Sequence, residues 1–186
     1  APLLQFAGNP GNMGICVACF ERDIAGALRL HSAAVVQYLR PEIIGLVLGG
    51  LLGALVTGEF RARTGSAPAL RFMLGMFAAI GALVFLGCPW RALLRLAGGD
   101  ASALFGLAGL VAGIAVGVRF LNAGFNPGRN YPAKWPVGAM LTFLALVLLA
   151  FIAGRPAFIA ASVSGPGSQH APAALALLAG LVIGFL

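Results

Sequence analysis

Charge is the scarcest property of this sequence. Only 9% of its 186 residues are Asp, Glu, Lys or Arg, and five of those are acidic. Soluble domains carry about 25% charged residues. There is too little charge here to surround a water-soluble core, so the composition predicts an integral membrane protein. Lysine is nearly absent: eleven of the twelve basic residues are arginine, which favours bidentate contacts to oxyanions over point charges. The net charge of +7 is spread over loops and does not suit a nucleic-acid partner. Cysteine is rare and odd in number. Cys16, Cys19 and Cys88 do not form a disulfide framework. His31 and His170 are the only histidines, and neither has ligand spacing to the cysteines, which argues against zinc.

What is abundant is apolar and small. The chain is 60% hydrophobic with a mean hydropathy of +0.98, and 27 residues are glycine. Small residues let helices approach closely in a membrane. The expected spans are Ile43 to Val56, Pro68 to Gly87, Ser102 to Leu121 and Val137 to Ala153, with a further helix opened by Pro172. Gly45, Gly49 and Gly53 form one small-residue stripe, and Gly109, Gly113 and Gly117 another; both are read as packing faces. The predicted fold is all-α and polytopic, one transmembrane domain over residues 1–186, with short cysteine-bearing helices among longer spans. The chain opens on Ala and closes inside an apolar run. Its last fourteen residues would reach about 21 Å as a helix, short of a hydrocarbon core of about 30 Å, so a longer parent chain is expected. No cleavable signal peptide is evident.

Arginine counting does not settle orientation. Four simple spans put Arg22, Arg29, Arg40, Arg91, Arg95 and Arg155 on one side and Arg61, Arg63, Arg71, Arg119, Arg129 and Lys134 on the other. If Arg91 and Arg95 lie in a re-entrant element, the second side leads and is taken as cytoplasmic.

Two polar stretches interrupt the apolar chain. In the first, Asn9-Pro10-Gly11-Asn12 breaks the chain, and Asn12 is read as the N-cap of a short helix. Cys16, Cys19 and Asp23 then share a helical face, and Arg22 and Asp23 form a local ion pair. In the second, Pro89 suits the first helical position and Cys88 its cap. Cys88, Arg91 and Arg95 stand at i, i+3 and i+7 on one face, with Asp100 able to pair either arginine. A thiol and two guanidiniums at a helix N-terminus suit a small anion. An interfacial loop whose arginines meet headgroups and whose cysteine is simply buried fits the composition equally well. His170 precedes the last helix, where it serves either as a helix-start residue or as a contact to substrate.

The stretches GNPGNMGICVACFERDIAGAL and GALVFLGCPWRALLRLAGGD resemble the paired signatures of the YeeE/YedE sulphur-transport family, most closely its YedE-type branch of selenium transporters. The segments QYLRPEIIG, EFRARTGSAP and SGPGSQHAP are similar to that branch as well. The resemblance implies a two-repeat permease in a bacterial cytoplasmic membrane, with this chain about its first half. It implies passage of a thiosulfate-like sulphur or selenium anion along cysteine thiols, with no cofactor and no enzymatic turnover. In some members a small cytosolic sulphur-carrier protein is the partner. The implied pathway residues are Cys16 and Cys88, with Cys19, Arg22, Asp23, Arg91, Arg95, Asn12 and His170 as further candidates. Cys19 has no counterpart in the thiosulfate branch. A competing expectation follows from Cys16-Val17-Ala18-Cys19, a C-x-x-C that would make the protein a membrane thiol–disulfide oxidoreductase.

Overall fold

The computed structural model describes residues 2–11, 16–85, 88–126 and 128–186. It is mostly helical. A short helix α1 (Pro2–Phe6) leads to α2 (Val17–Ala27), whose preceding residue is Cys16. The predicted cap, Asn12, lies outside the described residues, as does Gly87 of the second signature. Helix α3 (Pro41–Val56) has Pro at its start and Glu42 in its first turn, both favourable at a helix N-terminus. Helix α4 (Pro68–Val84) also begins on Pro, after Ala67 in the left-handed region at φ 53°. Then come α5 (Pro89–Ala97), which ends at Gly98, and α6 (Ser102–Asn122). A four-residue turn of helix, α7 (Trp135–Gly138), precedes α8 (Met140–Gly154), and α9 (Ala173–Phe185) closes the chain after Pro172.

Among the described residues, two stretches are long and apolar enough to cross a membrane by length and composition: Pro68–Ala97, which takes in α4 and α5, and Ser102–Asn122. The expected spans at Ile43–Val56 and Val137–Ala153 correspond to α3 and α8, which are shorter apolar helices of 16 and 15 residues. At 1.5 Å per residue each rises only about 22–24 Å. The fold is also not purely helical. Arg63–Gly65 (β1) and Asn130–Pro132 (β2) pair antiparallel, with Thr64 opposite Tyr131. Both strands fall in stretches expected to be loops. Their exposed backbone is satisfied by mutual pairing, extended by Ser66 N–H to the Arg129 carbonyl at 3.1 Å and Ala133 N–H to the Ala62 carbonyl at 2.9 Å.

The core sits among α2, α3 and α8, where Ile24, Ala27, Leu39, Ile44, Ala145 and Leu148 are buried together. The closest helix pairing is α3 on α9. A Cβ on Gly45 would run into the Leu177 carbonyl oxygen, and one on Gly49 into that of Leu181. The relation is mutual: Gly180 faces the Glu42 carbonyl and Gly184 that of Leu46. Small residues on both helices therefore bring backbone against backbone. The second stripe behaves differently. Gly109, Gly113 and Gly117 on α6 face open space. Helix α4 buries no residue and α6 buries only Ala103, so their apolar side chains point outward.

Candidate functional site

Three cysteines from two distant stretches meet. Cys16 is the extended residue before α2, and Cys19 lies one turn into it. Their Cα atoms are 5.3 Å apart and their sulphurs are paired as a disulfide. That separation lies within the ordinary disulfide range. Cys16 is 0% exposed and Cys19 4%, and with Phe20 they form a buried cluster against which Ile43 and Cys88 pack. Cys88 is unpaired and half-buried, the cap residue of α5, with Pro89 behind it at the first helical position. One turn into α5, Arg91 Nη1 donates to Cys19 Sγ at 3.2 Å. The guanidinium thus stands directly on the sulphur of a residue 72 positions earlier.

Arg95 does not join this cluster. Its guanidinium pairs with Asp100 at 2.6 Å, donates to Ser102 Oγ at 3.0 Å and reaches the Phe85 carbonyl at 3.2 Å. It ties the end of α5 to the start of α6. The hydrogen bond from the Ser102 hydroxyl, and next that from Arg95, hold the Asp100 carboxyl below the usual carboxylate range. A depressed folded-state pKa gives stability that is complete above the unfolded value, about 3.9, and is lost as pH falls through the folded one. The melting temperature of the detergent-purified protein should therefore exceed that of Asp100→Asn at neutral pH. The gap should close as the pH is taken well below 4, and a constant gap would contradict the assignment.

Arg22 and Asp23 pair as the sequence suggests, Nη2 to Oδ1 at 2.8 Å. The larger feature is on the other carboxylate oxygen. Arg40, fully buried, places Nε 2.9 Å and Nη2 2.8 Å from Asp23 Oδ2. Its remaining donors reach the carbonyls of Gln169 at 3.2 Å and Pro166 at 2.9 Å. Its carbon end lies between the rings of Phe20, 4.8 Å to the centroid, and Tyr38, 5.1 Å. Arg40 thereby links the cysteine-bearing helix to the loop before α9. By position in the sequence Arg40 counts among the arginines outside the expected spans. The signal available was an arginine cut off from water by Tyr38-Leu39 before it and Pro41 after it.

Asn9 also does more than turn the chain. It is buried, its Nδ2 donates to Glu42 Oε1 at 2.7 Å, and its Oδ1 accepts from the Ala171 N–H at 2.8 Å, so it clamps α1, α3 and α9. His170 stacks on Tyr38 with ring centroids 4.1 Å apart and nearly parallel planes. The two rings and Ser162 line a hollow of about 460 Å³ that Arg155 also borders. Burial, and after it the Glu42 carboxylate, raise the Tyr38 hydroxyl above its ordinary value, against smaller lowering pulls from Arg40 and Arg155. His170 therefore belongs to this hollow, walled by residues other than the cysteines. No group of three metal-ligating side chains occurs among the described residues.

Chemically, the cysteine cluster offers two buried sulphurs, a third that is half-buried, and one guanidinium. It can present soft sulphur contacts to a polarizable solute when reduced, or exchange disulfide bonds when oxidised. The chain matches no family model, and neither a characterised protein nor a solved structure shows significant similarity to it.

Proposed function

We propose that this chain is part of a multi-pass permease in a bacterial cytoplasmic membrane that admits a sulphur- or selenium-containing anion of the thiosulfate type. The observation that carries the reading is the convergence of Cys16, Cys19 and Cys88 on one buried cluster with Arg91 against it. Two long apolar helices with outward apolar faces support the membrane setting. The likeness of the two cysteine stretches to the YeeE/YedE signatures supports the solute class.

The physical argument concerns a soft anion in an apolar interior. Burying its charge is costly unless donors or cations meet it. Arg91 supplies a cation, and Asp23 shared between Arg22 and Arg40 keeps the neighbouring charge from accumulating. Passage needs binding strong enough to admit the anion and weak enough to release it. Thiols, as weak donors, meet both conditions; a cage of free guanidiniums would hold the anion too tightly. In this reading the conducting form is the reduced one, with Cys16 and Cys19 as thiols. A small sulphur-carrier protein on the cytosolic side would receive the solute.

A second reading rests on the Cys16–Cys19 pairing itself. A C-x-x-C that closes on itself suits a membrane thiol–disulfide oxidoreductase. Uptake of labelled thiosulfate by cells carrying the full-length protein separates the two. Under the permease reading Cys88→Ala abolishes uptake while the protein still reaches the membrane, and Cys19→Ala keeps a substantial part of it. Competition by selenium analogues then defines the solute. Normal uptake by Cys88→Ala would remove the permease site. No thiosulfate uptake by the wild type, with thiol oxidation requiring both Cys16 and Cys19, would favour the second reading.

A further inference from the structure

The Cys16–Cys19 disulfide is sealed in. Cys16 is 0% exposed and Cys19 4%, so no external thiol can line up with the S–S axis. Exchange requires a thiolate to reach a disulfide sulphur directly. The remaining cysteine, Cys88, packs against the cluster formed by Cys16, Cys19 and Phe20 and is itself only half-buried. Arg91, on the same short helix, donates to Cys19 Sγ at 3.2 Å. A cation beside one sulphur of a disulfide makes that sulphur the better leaving group.

We propose that Cys88 is the port through which a thiol partner reduces the buried pair. Cys88 enters as its thiolate, having given its proton to water, and attacks Cys16 Sγ. The Cys16–Cys19 bond breaks, its electron pair leaves on Cys19 beside Arg91, and a Cys16–Cys88 bond forms. This step is an exchange with no net oxidation. An external monothiol, as thiolate, then attacks Cys88 Sγ at the exposed end. The Cys16–Cys88 bond breaks, Cys16 takes the electron pair and a proton, and Cys88 carries a mixed disulfide. A second monothiol attacks the partner's sulphur, releases Cys88 and departs as the partner's own disulfide. Cys19 and the released Cys88, both left as thiolates, take protons from water, so that two external thiols are oxidised to one disulfide and the protein gains two electrons and two protons. The device is independent of whether the cluster conducts an anion or shuttles electrons, because it concerns only how the buried pair meets a reductant.

The test uses the full-length protein in detergent, oxidised with diamide and then exposed to glutathione. Acid-quenched samples are labelled with N-ethylmaleimide and the label on Cys16 and Cys19 is quantified by mass spectrometry. Cys88→Ser should gain label at least about tenfold more slowly than the wild type. After denaturation both proteins should gain it at the same rate, which reports that the disulfide itself is present in each. In Cys19→Ser, diamide should join Cys16 to Cys88, read as a cross-linked peptide. Equal native rates in Cys88→Ser and wild type would overturn the proposal. So would the absence of the Cys16–Cys88 cross-link in Cys19→Ser. Both readouts follow cysteine labelling and leave the uptake assay out, so failure here is distinct from failure of either functional reading.

Discussion

Asp23→Ala costs the protein about 3–5 kcal/mol, enough to prevent normal accumulation of a fold whose whole stability is on the order of 5–15 kcal/mol. Asp23 and Arg40 are both fully buried, and Asp23 is the carboxylate that answers the Arg40 guanidinium, at 2.8 Å. Removing it leaves that charge with two backbone carbonyls and two aromatic faces. Those partners do not replace a full negative charge in a setting of low dielectric. Asp23→Asn should fall between wild type and Asp23→Ala, since an amide oxygen still accepts but carries no charge. Arg40→Lys should also be poorly tolerated, because an ammonium cannot reach Asp23, Gln169 and Pro166 in the fork that a guanidinium spans. The double variant Asp23→Ala with Arg40→Met should recover much of the loss, since it takes out both fully buried charges and leaves only Arg22, whose side chain is 30% exposed, to be solvated without its carboxylate. Fluorescence-detected size exclusion and thermal melting in detergent measure the series. A wild-type melting temperature for Asp23→Ala would show that the pair does not hold the helix.

The second large effect distinguishes two glycine stripes that look alike in the sequence. Gly49→Ala should destabilise the protein by about 1–3 kcal/mol, because the new Cβ meets the Leu181 carbonyl and the helix pair must separate. The same holds for Gly180→Ala against the Glu42 carbonyl. Gly113→Ala in α6 should be neutral, or stabilising by up to about 1 kcal/mol, because alanine is the better helix former and nothing lies within 4 Å of the new atom. Melting temperatures of the three variants in one detergent decide the matter. Identical behaviour of Gly49→Ala and Gly113→Ala would mean that α3 and α9 are not pressed together as described. Pairing of α3 with α9 also bears on the cysteine cluster, since Ile43 in the first turn of α3 packs against it. A loosened pair should therefore alter cysteine reactivity as well as stability.

Much of this architecture could be read along the chain, because it is set by near neighbours. Proline at the first helical position starts α3, α4 and α5, since its φ is already helical and its missing N–H is not needed there. Cys88 as cap, the Arg22–Asp23 pair and the shared burial of Cys16, Cys19 and Asp23 all follow from spacings of seven residues or fewer. The low charge and long apolar runs likewise predict spans at Pro68–Gly87 and Ser102–Leu121, which fall in stretches able to cross a membrane, but also at Ile43–Val56 and Val137–Ala153, where the helices are shorter.

What the residue order left open is which faces meet. Helical spacing placed Arg91 and Arg95 together, yet Asp100 and Ser102 draw Arg95 toward α6 and leave Arg91 to Cys19. Only packing set Arg40 beside Asp23, with the loop at 166–169 and two aromatic rings around it, because a buried charge takes whatever partner the assembled fold brings near. Only packing used one glycine stripe and left the other facing outward, because close approach needs a second helix with small residues in register, and α9 provides Gly180 and Gly184 for that purpose. The meeting of three cysteines across 72 residues belongs to the same class: local chemistry determined where each sulphur sits on its helix, and the burial of many apolar side chains at once decided that those positions coincide.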